Sequence, residues 1–433
     1  MSKNSHSTIL VSFLVVPLFF SGMFADISLC KEKAPPPVTL EFWSVFDDSD
    51  IYAPLIASFQ QQYPYITVNY RKKNIASYEQ ELLDALASGR GPDIFSVNNF
   101  WMPRYFEKLT PVPDNLIALS RFLEVFPDVA RQDFVLNEKI YALPLSIDTL
   151  ALFYNKDLLN SAGVALLPKT WEEFNAATEK LTQKDEQGEI SQAGAALGAS
   201  RNINRSTDIL ALLMIQSGSQ MVSLDKTEAT FADSINLNGE NFRPGSRALS
   251  FYSNFASPSK KVYSWNSRQH YSLDAFSQGE VAMMISYSYQ IPVLRAKAPH
   301  LDFGVAALPQ ISQKGATVSY ANYWGQAVSK GSQNSAAAWQ FIAWLAQPEN
   351  SIQYLQATQK PASRRDLIDQ QNDPELSVFA KQVLTARSWW QTDSAVIEKI
   401  FADMIDRALS SPSLTDEIVK DAEVRVTELM RNK

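Results

Sequence analysis

Acid–base chemistry needs carboxylates, imidazoles or thiols at workable positions, and this sequence is sparing with them. Asp47 and Asp48 stand together in Ser44-Val45-Phe46-Asp47-Asp48, and Asp148 lies in Ile147-Asp148-Thr149. Such a set has the residue type for glycoside hydrolysis, in which two carboxyl groups flank the scissile bond. The same carboxylates, without breaking a bond, accept hydrogen bonds from a hydroxyl-rich ligand. Other chemistries lack parts. There is no Gly-x-Ser-x-Gly turn and no Gly-x-x-x-x-Gly-Lys-Ser/Thr cradle. His270 and His300 stand alone, without the His-Glu-x-x-His spacing of a zinc site. One cysteine, Cys30, excludes a disulfide framework and a thiolate metal site. No cofactor and no metal is expected.

The elements that must position these groups are built from 433 residues, 45% hydrophobic and 20% charged, which suffices for a packed core. At roughly 100–200 residues per domain the length predicts two or more domains. A formal net charge of −7 gives no electrostatic footprint for nucleic acid.

Residues 1–30 read as a leader. Lys3 is followed by an apolar run from Ile9 to Phe24, too short to span a bilayer as a helix but suited to a secretory signal. Ile27-Ser28-Leu29-Cys30 is similar to a bacterial lipoprotein signal, in which the cysteine carries the lipid. Ordinary cleavage and an uncleaved anchor are the alternatives. Residues 31–37, ending in Pro35-Pro36-Pro37, would form a stiff extended spacer.

Beyond the spacer, strand and helix patterns alternate. Val38–Trp43, Ile66–Tyr70 and Asp93–Val97 read as strands. Between them Ile51, Leu55 and Phe59 mark one helix face, and Ser77 and Gly89 bracket a second helix. Strand–helix–strand–helix–strand implies a parallel sheet whose ligands sit beyond the carboxyl ends of its strands. That places the 44–48 loop, and Asn98, Asn99 and Trp101 after the third strand, as site candidates. Thr170-Trp171-Glu172-Glu173 is a capping box. Further strands are expected at 139–144, 149–154, 281–285, 303–307 and 323–328, and helices from Ser335 onward.

Three segments resemble a known family, the extracellular solute-binding proteins of ABC importers, of the maltose- and sugar-binding type. One is Tyr141-Ala142-Leu143-Pro144 through Ile147-Asp148-Thr149 to Tyr154-Asn155-Lys156-Asp157-Leu158-Leu159, followed by Thr170-Trp171-Glu172-Glu173-Phe174. The others are Gly279-Glu280-Val281-Ala282-Met283-Met284-Ile285 with Tyr287 and Tyr289, and Gly91-Pro92-Asp93-Ile94-Phe95. The likeness covers essentially everything after residue 38.

The resemblance implies an α/β, two-lobed periplasmic-binding-protein fold, each lobe a mixed sheet flanked by helices, joined by crossing strands. Residues 38–146 and 290–326 would form the first lobe, 147–289 and 327–433 the second. Crossings are expected near Leu145–Thr149, Tyr287–Pro292 and Gly325–Ser329. In the cleft between lobes, Asp47, Asp48, Asn98, Asn99 and Asp148 would bind ligand hydroxyls. Trp101, Tyr154, Tyr287, Tyr289 and Trp324 would supply aromatic faces, and Arg364 resembles a position that reaches ligand. At most one of Trp389 and Trp390 would join them. The implied partners are a mono- or oligosaccharide, the transmembrane subunits of an ABC permease, and the membrane through a lipid on Cys30; the implied state is a monomer outside the cytoplasmic membrane. A carbohydrate hydrolase using Asp47 or Asp48 with Asp148, and a sensing receptor for a non-sugar ligand, are the competing readings.

Overall fold

A computed structural model describes residues 35–237 and 239–431. The leader and Cys30 lie outside the described residues. The chain divides after Pro36, and the unit beginning at Pro37 carries the elements below.

Val38–Ser44 is the central strand of the opening motif. Its inner face buries Leu40 and Phe42, and it pairs in parallel with Ile66–Lys72 on one side and Ile94–Asn98 on the other. The helices Ser49–Gln62 and Ile75–Ala87 make the crossovers, the first burying Tyr52, Leu55 and Phe59. Ile75–Ala87 is capped by Asn74, whose side-chain oxygen accepts the Ala76 N–H at 3.0 Å, and not by Ser77. Ser77 lies inside the helix, where its hydroxyl donates to Glu81 at 2.5 Å. Gly89, at φ 69°, ends the turn in the left-handed region as expected. Trp324–Ser329 then runs antiparallel against Ile94–Asn98, and the two-residue strands Leu109–Thr110 and Leu143–Pro144 pair with it to complete a six-stranded sheet.

A second, five-stranded mixed sheet has Val281–Ser286 near its middle, with all six residues buried. It pairs antiparallel with Ala151–Asn155 and in parallel with Ile190–Ala195. Burial on both faces explains why this strand reads as a continuous apolar run with no alternation. The helix Trp171–Leu181 begins with the predicted capping box, Thr170 accepting from the Glu173 N–H and Glu173 reaching back to the Thr170 N–H. The last helix, Thr415–Arg431, buries Ile418, Val419, Ala422 and Val426 on the core of this sheet.

Each sheet has its own hydrophobic core, and the cores correct the expected lobe boundaries. Tyr287–Pro292 is no crossing: the helix Gln290–Lys297 packs Ile291 and Leu294 into the second core, and Phe303–Ala306 is an edge strand of the second sheet beside Ala151–Asn155. The chain returns to the first sheet at Ala321–Tyr323, beside the outgoing crossing, where Ala321 bridges Thr149. Residues 327–433 do not all belong to the second lobe either. The helix Ser335–Leu345 puts Trp339, Phe341 and Ile342 into the first core. The third crossing is later than expected: Phe379 packs in the second core, Val383 and Ala386 in the first, and Ala386–Arg387 pairs with Ser319–Tyr320. An apolar pattern announces a strand or a helix face, but it does not say which of two sheets receives it.

Candidate functional site

The carboxyl ends of the first sheet's strands face the second sheet's helices across two adjoining cavities, of about 470 and 390 Å³. Phe46, Arg205, Asn322 and Trp324 line both, so the cavities meet at that point. The larger runs on to Asp47, Asp148, Tyr289, Tyr354 and Lys360; the smaller to Asn98, Trp101, Asp208, Trp389 and Glu398. Both sizes fall within the roughly 300–1,000 Å³ typical of small-molecule sites.

Asp148 sits in the outgoing crossing, as the resemblance implied. Its carboxylate accepts the Thr149 N–H at 2.9 Å, the Ser288 N–H at 3.1 Å and the Ser288 hydroxyl at 2.8 Å. Burial pushes the carboxyl up to about 6, against those hydrogen bonds, which favour the charged form. Asp148 therefore staples the first crossing to the end of the Val281–Ser286 strand while facing the larger cavity.

Asp47 also lines that cavity, but its oxygens are already engaged. One accepts from Lys360 Nζ, the other from the Tyr354 hydroxyl at 2.7 Å, and Lys360 also reaches Tyr354 at 3.0 Å. Asn98 lines the smaller cavity and is held by the Phe100 N–H at 3.0 Å and by Asn322 at 2.9 Å. Trp101 and Trp324 meet edge to face, centroids 5.0 Å apart, and Trp324 meets Phe46 in the same way at 5.6 Å. Tyr289 is 41% exposed on the opposite wall and accepts from Arg205 Nε at 3.1 Å.

The structure moves five expected residues out of direct reach. Asp48 is exposed and ion-paired with Lys72 at 2.7 Å, because the residue after Asp47 points outward at the start of the Ser49–Gln62 helix. Asn99 turns away from the two adjoining cavities: its amide donates to Asp133 at 3.1 Å and its oxygen accepts the Tyr323 N–H. Tyr154 lies across Gly304 on the second sheet, where its hydroxyl fills the space a side chain at 304 would need. Tyr287 is buried at 1% exposure behind Tyr289, stacked on it at 5.9 Å, with its hydroxyl donating to Asp208 at 2.8 Å. Arg364 is buried and structural, bonding the Ala346 carbonyl at 2.6 Å and both carboxylate oxygens of Asp366. Of the tryptophan pair, Trp389 lines the smaller cavity, whereas Trp390 stacks on Phe106 at 5.9 Å.

Sequence reasoning placed the 44–48 loop at the site without singling out Phe46, and it missed Arg205, Asn322 and Lys360. Arg205 sits in a polar stretch with no periodicity, at φ 56° just before the helix Ser206–Gln216. Its guanidinium lies near the faces of Tyr287 and Tyr289, 5.8 and 6.0 Å from their centroids. Asn322 was placed by the misassigned crossing. No signal in the sequence reports Lys360, which follows the helix Pro348–Thr358 and reaches Asp47 from 313 residues away.

Residues 44–352 match the family model described as bacterial extracellular solute-binding protein. A galactooligosaccharide-binding protein of Bacillus subtilis is 22% identical over 342 residues, which is 78% of this chain and 75% of that one. Among solved structures, the cyclic alpha-maltosyl-1,6-maltose binding protein of Arthrobacter globiformis is similar with a TM-score of 0.76 at 19% identity, covering 92% of this chain and 100% of that one. The sugar-binding protein MalE of Xanthomonas citri gives 0.75 at 20% identity, covering 91% and 98%. With two α/β lobes, a polar and aromatic cleft between them, and a family match over most of its length, the chain belongs to the bacterial extracellular solute-binding proteins.

Proposed function

We propose that this chain captures a carbohydrate in the cleft between its lobes and presents it to an ABC-type membrane permease. Its family works outside the cytoplasm, in the periplasm or at the cell surface. One observation carries the carbohydrate reading: Phe46, Trp101, Trp324 and Tyr289 offer aromatic surface around the same space that Asn98, Arg205 and Asn322 line with polar groups. A sugar presents C–H patches and a ring of hydroxyls, and needs both kinds of wall. The sugar-binding names of the relatives support the same class. Hinge closure of two lobes around ligand, known for periplasmic binding proteins, would sequester it. A lipid on Cys30, with the proline spacer behind it, would hold a monomeric receptor at the membrane; replacing Cys30 by alanine should then release the protein into the soluble fraction.

Hydrolysis is the weaker reading, because Asp48 is spent on Lys72 in solvent and Asp47 on Lys360 and Tyr354. Calorimetry against a panel of mono- and oligosaccharides, with product analysis of the same samples, tests the proposal. One equivalent of bound, chemically unchanged sugar is expected. Absence of heat across the panel, or released monosaccharide, would overturn it.

A further inference from the structure

Phe46 is a large aromatic residue with φ 69°, in the left-handed region that side chains other than glycine's rarely adopt. The Asp47 N–H donates to the Val45 carbonyl at 2.8 Å, so Phe46 is the centre of a three-residue γ-turn of the strained, positive-φ kind. Half of its surface, 51%, is exposed, so core packing does not explain why the strain is kept. Such outliers persist when their surroundings over-determine them. Here Asp47 is the clamp: Tyr70 donates to its carbonyl at 2.5 Å, while Tyr354 and Lys360 hold its carboxylate. All three partners fix the residue after Phe46 and leave its ring projecting where the two cavities meet, edge-on to Trp324.

We infer that Phe46 is a specificity-determining wall that divides the cleft into two subsites, and that the ligand is an oligosaccharide with rings on both sides of it. Resting on the carbohydrate reading, the inference adds ligand length and the residue that sets it. A monosaccharide fits within one cavity and gains little from the other. A longer chain occupies both and packs C–H surface against the Phe46–Trp324 pair. Asp47, by holding the turn, is a positioning residue.

The test is calorimetry of the wild type and Phe46→Gly with mono- to tetrasaccharides of the α-1,4-glucan, β-1,4-mannan and β-1,4-galactan series. Glycine accepts the positive φ, so this variant should fold, with a thermal midpoint at or above that of the wild type. In one series the wild type should gain about tenfold or more in affinity from mono- to trisaccharide, the equivalent of ~1.4 kcal/mol. Phe46→Gly should lose most of that gain, its affinity falling several-fold more for the trisaccharide than for the monosaccharide, and Phe46→Trp should retain it. Wild-type affinity independent of length, or an equal loss at every length in a folded Phe46→Gly, would overturn the inference and leave the carbohydrate reading standing. A wild type that binds no sugar of any length would remove that reading and the inference with it.

Discussion

At the residue scale, Asp148 concentrates the tension between burial and charge. Its carboxyl is held at about 6 by burial, above its value in an unfolded chain, so the folded protein binds the proton more tightly. Stability from this group is fully present below the unfolded value of about 4 and is lost as pH rises through about 6, on the order of 3 kcal/mol. Asp148→Asn keeps one acceptor oxygen for the Thr149 and Ser288 N–H groups and turns an N–H donor to the Ser288 hydroxyl, without the charge. Urea unfolding should therefore show the variant's advantage over wild type growing between pH 4 and pH 7; a constant difference would refute the assignment. Asp148→Ala strands the Ser288 and Thr149 donors instead, at a cost of about 1–3 kcal/mol, and calorimetry should show weakened ligand binding. By contrast Asp48→Ala removes only an exposed ion pair and should leave both affinity and stability within about 0.5 kcal/mol of wild type.

At the scale of elements, the cleft depends on crossings packed tightly enough to fix its walls. The strand Trp324–Ser329 receives Phe134 where it passes Gly325: a Cβ there would sit 2.8 Å from the Phe134 ring and 2.9 Å from Ala142 Cβ. Neither neighbour can move freely, since Phe134 and Ala142 are fully buried. Gly325→Ala should destabilise by about 1–3 kcal/mol through overpacking, readable as a lower denaturant midpoint. Asp133 binds the same region together. It accepts from Tyr323 at 2.8 Å, from Asn99 at 3.1 Å and from Ser388, joining the helix Asp128–Phe134 to the second and third crossings. Farther out, the capping box at Thr170 belongs to a helix that contributes no residue to the lining of either cavity. Thr170→Ala should cost about 1 kcal/mol of stability and leave sugar affinity unchanged.

For the whole molecule, the prediction concerns movement. Two cores, each closed around its own sheet, meet along the crossings at 145–150, 321–323 and 376–389, which is the arrangement a hinge requires. Small-angle scattering should show a smaller radius of gyration on adding a sugar that binds. Identical curves with and without bound sugar would mean that the lobes do not close on it. No helix among the described residues is long and apolar enough to cross a membrane.

The sequence by itself determined the local elements and much of their order. The opening βαβαβ pattern, the capping box, the Val281–Ser286 strand and the amphipathic last helix were legible because periodicity, caps and glycine ends act over a few residues. Asp148, Asn98, Trp101, Tyr289 and Trp324 were legible as cleft residues because they lie beside such elements or in the motifs of the family. Only the tertiary structure decided which sheet owned the 303–306 strand and the 335–358 helices, and where the second and third crossings run. It alone brought Lys360 and Tyr354 to Asp47 across more than 300 residues, and so showed Asp47 clamping a strained turn beneath Phe46. The physical reason is common to all of these: contacts between residues far apart in the chain are set by how two finished cores pack, and no local spacing carries that information.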